Sequence, residues 1–139
     1  MMDDIVSQLD GIYNRSIDYF DISETVCRET RNRIKAQYYT DPPVRFRSSL
    51  LVHSYCIEDM DPSEATRIFF SFGIPENEEV VLIWGFRKRG ITLPYGVFAR
   101  YYFKLWYPGA DDVWVTNENI DWLIELHHEE YLSIARAGE

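Results

Sequence analysis

The pattern of apolar and polar positions changes period as it runs along the chain. Over residues 3–20, Ile5, Leu9, Ile12, Tyr13, Ile17 and Phe20 recur at helical spacing, which predicts an amphipathic helix that contains Gly11. Asp21 or Ser23 caps a second helix, with Glu24 in its first turn. Val26, Thr30, Ile34 and Tyr38 form its apolar stripe, and Arg28, Arg31 and Lys35 lie on its other face. Asp41-Pro42-Pro43 ends it, because proline has no amide hydrogen and disfavours a helical predecessor.

The centre then reads with a period of two. Residues 44–57 place Val44, Phe46, Leu50 and Val52 on one side of a strand. Asp59-Met60-Asp61-Pro62-Ser63 predicts a turn, Arg67 to Phe72 a short aromatic strand, and Gly73-Ile74-Pro75-Glu76-Asn77 another turn. Glu79 to Phe86 is apolar on both faces through Val80, Val81, Leu82, Ile83 and Trp84, as a central covered strand requires. Residues 94–107 admit two readings. As a strand they alternate Val97, Ala99, Tyr101, Phe103 and Leu105 against Arg100 and Lys104. As a helix, with Pro94 at its start, they gather Phe98, Tyr101, Tyr102, Leu105 and Trp106. The aromatic and β-branched content favours the strand, with Pro108-Gly109 as the hairpin tip before Val113-Trp114-Val115. Thr116 then caps a last helix, with Glu118 and Asp121 near its positive end and Ile120, Leu123, Ile124, His127, Tyr131 and Ile134 on its buried face.

These elements compose one α+β domain over residues 1–139. Two N-terminal helices precede a central antiparallel sheet of four to five strands, and a C-terminal helix packs on the sheet. The chain is 46% hydrophobic and 16% aromatic, enough to build a core without disulfide or metal. No apolar run approaches membrane-spanning length, and Met1-Met2-Asp3-Asp4 lacks the basic and apolar regions of a secretion signal. A cytoplasmic location is therefore expected, with Cys27 and Cys56 reduced and buried.

The formal net charge of −9 opposes long-range attraction to nucleic acid and anionic membranes. Residues 1–24 hold six acids and one base, and residues 108–139 hold eight acids and one base. The bases concentrate between them, in Arg28, Arg31, Arg33, Lys35, Arg45 and Arg47 and then in Arg87, Lys88, Arg89, Arg100 and Lys104. No metal site and no cofactor is expected. On a helix, the adjacent His127 and His128 would point about 100° apart and could not share an ion. His53 stands alone on its strand. No nucleophile motif and no glycine-rich phosphate loop is present.

Within residues 67–100 the chain reads Arg67-Ile68-Phe69-Phe70, a turn, Val80-Val81-Leu82-Ile83-Trp84-Gly85-Phe86-Arg87-Lys88-Arg89, and then Pro94. This quarter of the chain resembles the RelE/HigB-like toxin family. The resemblance implies a small antiparallel sheet packed on helices and metal-independent, ribosome-dependent cleavage of mRNA. It implies that Arg67 clamps the phosphate, that Arg87, Lys88 or Arg89 offsets transition-state charge, and that Tyr95 supplies the aromatic group.

The charge balance instead favours a non-enzymatic interaction protein. An acidic, aromatic-rich surface suits a stoichiometric inhibitor of a basic or nucleic-acid-acting protein, of the immunity-protein or phage anti-defence type. Carboxylates steer such an encounter, and aromatic side chains anchor it. Asp111, Asp112, Trp114, Glu118, Asp121, Glu125, Glu129 and Glu130 form the candidate partner-binding stretch, and Trp122 within it suits the core. A small-molecule pocket lined by aromatic residues is the third reading.

Overall fold

In a computed structural model, residues 19–40, 46–85, 89–106 and 112–137 are described. They form three helices and one seven-stranded sheet. The strands are β1 (Phe20–Asp21), β2 (Leu51–Cys56), β3 (Glu79–Trp84), β4 (Arg89–Pro94), β5 (Val113–Thr116), β6 (Trp122–His127) and β7 (Tyr131–Arg136). The helices are α1 (Glu24–Tyr38), α2 (Pro62–Ser71) and α3 (Tyr95–Leu105). All pairings are antiparallel, in the order β1-β4-β3-β5-β6-β7-β2.

The central strands of the sheet are covered on both faces. Successive strand residues point to opposite sides, so β5 and β6 each feed two cores. Val113, Val115, Trp122, Ile124 and Leu126 join Ala65 and Phe69 of α2 and Phe98, Ala99, Tyr102 and Leu105 of α3. Trp114 and Leu123 join Cys27, Ile34 and Tyr38 of α1. Strand β2 projects past these layers: of its six residues only Tyr55 is even partly buried.

Local chemistry explains each helix. Ser23 caps α1, its side chain accepting from the Val26 amide at 3.1 Å. The buried stripe is Cys27, Ile34 and Tyr38, whereas Val26 of the expected stripe is 46% exposed. Asp61 caps α2, accepting from the Ser63 amide at 2.9 Å, with Pro62 in the first turn. Arg67–Phe72, expected as a strand, thus forms the end and C-cap of a helix that buries Ala65 and Phe69 on one side. The Asp-Pro-Ser-Glu sequence read as a turn is its N-terminal signal. Gly73, at φ +78°, supplies the left-handed residue that follows the cap at Phe72.

Residues 94–107 resolve as helix α3, correcting the strand preference. Pro94 caps it, and its first two amides are satisfied by backbone carbonyls, Tyr95 N–H to Glu78 at 2.9 Å and Gly96 N–H to Glu76 at 2.8 Å. Buried polar atoms then join α3 to its neighbours. The Tyr95 hydroxyl donates to the Phe69 carbonyl at 2.6 Å, the Thr66 hydroxyl to Ala99 at 2.8 Å, and Trp84 Nε1 to Leu105 at 2.7 Å.

The largest correction concerns the C-terminus. The expected helix after Thr116 is instead the hairpin β6–β7. Its connection, His128-Glu129-Glu130, contains no Gly, Pro or Asn to announce a turn. Glu130 takes the left-handed conformation itself, at φ +66°, and its amide donates to the His127 carbonyl at 2.8 Å. The antiparallel sheet therefore has seven strands rather than four or five. The expected first helix lies outside the described residues apart from Tyr19 and Phe20, and Phe20 opens β1. Val44 and the Pro108-Gly109 hairpin tip also lie outside them. No helix among the described residues is long and apolar enough to cross a membrane. Both cysteines are free thiols, Cys27 buried but Cys56 exposed.

Phe69 is fully buried and packs edge-on against Phe72, Phe98 and Tyr102. Phe69→Ala should cost roughly 3–5 kcal/mol of folding stability, read as a lowered urea midpoint with an unchanged slope.

Candidate functional site

The antiparallel register decides which carboxylates meet. Val113 pairs with Leu126, and His127 pairs with Tyr131, which also pairs with Cys56. The start of β5, the β6–β7 turn and the exit from β2 therefore share one end of the sheet. That end carries Asp112, then Glu129 and Glu130, then Glu58 and Asp59. Hydrogen bonds join the segments into a continuous rim. Asp112 Oδ1 accepts from the His128 amide at 2.7 Å, and the Ile57 amide donates to the Glu130 carbonyl at 2.9 Å. Glu58, Asp59 and Glu129 are exposed, and Asp112 and Glu130 are partly so. Among the described residues, the ion pairs these carboxylates make are to His128 alone. Tyr131, 44% exposed, stands within the rim.

Two histidines complete this end. His127 closes β6 and His128 opens the turn, so the helical argument that set them apart does not apply. Their ring centroids lie 4.1 Å apart with planes inclined 31°. His128 Nδ1 donates to Asp112 Oδ1 at 2.9 Å. That bond and the surrounding carboxylates of Asp112, Glu129 and Glu125 raise the His128 pKa above the ordinary 6.5.

Glu125 itself turns inward. It sits on the α1 side of β6, 9% exposed, where Trp114 Nε1 donates to its Oε2 at 2.9 Å. The Tyr39 hydroxyl donates to the same oxygen and accepts from Trp114 Nε1 at 2.9 Å. Phe46 stacks on Tyr39 with centroids 4.9 Å apart. Burial, followed by the adjacent carboxylate, raises the Tyr39 pKa, so the phenol stays protonated and remains a donor. This triad ties the end of α1 to β5 and β6.

The residues expected to bind a partner are thus dispersed. Trp114 and Glu125 face the core under α1 and are unavailable to a partner. Asp112, Glu129 and Glu130 share the rim. Glu118 and Asp121 lie in the β5–β6 turn at the opposite end of the sheet, where Asp121 bonds Asn117. Asp111 is outside the described residues. Glu58 and Asp59 were missed because an acidic pair after a strand reads as solubilising turn chemistry, and only the β2–β7 pairing brings it beside Glu130.

Of the residues the toxin resemblance singles out, Arg67 is exposed on α2, and Arg89 is paired with Asp21 at 2.8 Å. Tyr95 is fully buried and its hydroxyl is bonded to Phe69, which removes it from any solvent-facing site. Arg87 and Lys88 lie outside the described residues. A cavity of about 290 Å³ opens beside α1, lined among the described residues by Glu24, Cys27, Arg28, Arg31, Asn32 and Lys35. Among the described residues, its lining includes none of the aromatic groups expected of a small-molecule pocket. Compared with protein-family models, curated proteins and solved structures, the chain matches none.

Two measurements check this geometry. Tyr39→Phe removes a buried donor to the Glu125 carboxylate and should destabilise the fold by about 1–3 kcal/mol in urea unfolding. In proton NMR, His128 should titrate above 6.5, and Asp112→Asn should move its midpoint down. The sign follows from linkage. A raised folded-state pKa stabilises the protein below the unfolded value, and the contribution is lost as pH rises through the folded value.

Proposed function

We propose that this protein is a non-catalytic binding module that docks a basic protein through the acidic end of its sheet, acting as a stoichiometric inhibitor of that partner. The observation that carries the reading is the convergence of Glu58, Asp59, Asp112, Glu129 and Glu130 from three separate chain segments onto one end, with Tyr131 exposed among them. Opposed cationic surfaces raise association rates in a salt-sensitive way, and a half-exposed tyrosine supplies rigid contact area at little entropic cost. The rim stands on strand ends and a bonded turn, so little ordering is required on docking. A protein that acts on nucleic acid presents the matching positive surface, which accords with an immunity-type or anti-defence role.

The test is affinity capture from an extract of the source cells at about 50 mM and about 300 mM salt, a range over which exposed charge pairs lose most of their reach. Wild-type protein should retain a basic protein at low salt and release it at high salt. Glu58→Lys combined with Glu129→Lys should weaken retention at least about tenfold, with an unchanged urea midpoint, because both side chains are exposed. Empty capture at low salt, or equal retention by the charge-reversed protein, overturns the reading.

A further inference from the structure

Asp112 and the His127-His128 pair are distant in sequence, yet they meet at the corner where β5 begins and β6 ends. One ligand atom from each lies within 4.8 Å of the others. The register that pairs Val113 with Leu126 is the cause, since it places the residue before β5 beside those that close β6. Asp112 is held there by two bonds to His128, one to its amide and one to its ring. All three side chains reach solvent, with Asp112 39% and His128 47% exposed. Glu129 Oε1 stands 3.9 Å from His128 Nε2.

We propose that Asp112, His127 and His128 form a binding site for one divalent transition-metal ion of the zinc class. Two imidazole nitrogens and a carboxylate oxygen suit zinc, cobalt or nickel, whereas magnesium and calcium require shells built from oxygen. Ligand atoms about 2.1 Å from a tetrahedral ion stand about 3.4 Å from one another, so the cluster binds by contracting rather than by refolding. The neighbouring carboxylates of Glu129 and Glu125 lower the electrostatic cost of a second positive charge. Three protein ligands at an exposed corner leave a fourth position for water or for the Glu129 carboxylate.

Coordination has a specific local consequence. The Glu129 amide donates to His127 Nδ1 at 3.1 Å. Either Nδ1 coordinates the ion, or Nε2 coordinates and Nδ1 takes the ring proton. In both cases the Glu129 amide loses its acceptor.

The experiment titrates the metal-free full-length chain with zinc by calorimetry, with cobalt by visible absorption and with magnesium as the control. Each titration is repeated in Cys56→Ser, which removes the exposed thiol. One equivalent of zinc should bind in both backgrounds, cobalt should develop d–d bands, and magnesium at the same concentration should give no signal. The Glu129 amide resonance should shift on zinc addition. His127→Ala and Asp112→Asn should each weaken zinc binding at least about tenfold while leaving the urea midpoint near the parent value. Zinc binding that survives both substitutions, that vanishes with Cys56→Ser, or that magnesium reproduces would overturn the site.

Discussion

Strands β5 and β6 are buried on both faces, and a strand so placed must be roofed twice. Val115 and Ile124 require the α2–α3 layer, while Trp114 and Leu123 require α1. If either roof is removed, roughly 25 cal/mol of stability is lost per Å² of apolar surface returned to water. The requirement explains why so short a chain builds three layers. At the edge of the sheet, β2 pairs with β7 but is almost wholly exposed.

Burying β5 and β6 also places polar groups inside, and each is satisfied. Glu125 accepts from Trp114 and Tyr39, and the Tyr38 hydroxyl reaches the Ile120 carbonyl at 2.7 Å. Ile120 holds a left-handed φ of +54°, which is strained for a β-branched residue, and the bonds from Tyr38 and Gln37 of α1 hold its carbonyl in place. Among the described residues no buried side-chain nitrogen or oxygen lacks a partner. The same carboxylate chemistry therefore has two uses. Inside the α1 interface it locks helix to sheet, and at the sheet end it presents charge to solvent.

Charge along the chain and charge in space are different distributions. Among the described residues, the acidic C-terminal third supplies one buried acid, two acids at the far end of the sheet and three at the rim, and the rim is completed by Glu58 and Asp59 from the middle of the chain. His127 and His128 likewise change meaning. Neighbours on a helix diverge, but the last residue of a strand and the first of a turn bring their rings within stacking distance.

Composition and local chemistry determined the α+β class, the helix that starts after Ser23, the central strand at Val80–Trp84 and the surplus of carboxylates. All of these depend on neighbours a few residues apart. The tertiary structure alone decided that residues 122–136 form strands, because burial on both faces of β6 and β7 leaves no strand alternation and Ile120, Leu123, Ile124, His127, Tyr131 and Ile134 also fit a helical spacing. It decided likewise that 95–105 forms a helix, since the carbonyls that complete its first turn come from Glu76 and Glu78. It also chose which acids and histidines meet, because strand register joins positions that lie far apart along the chain.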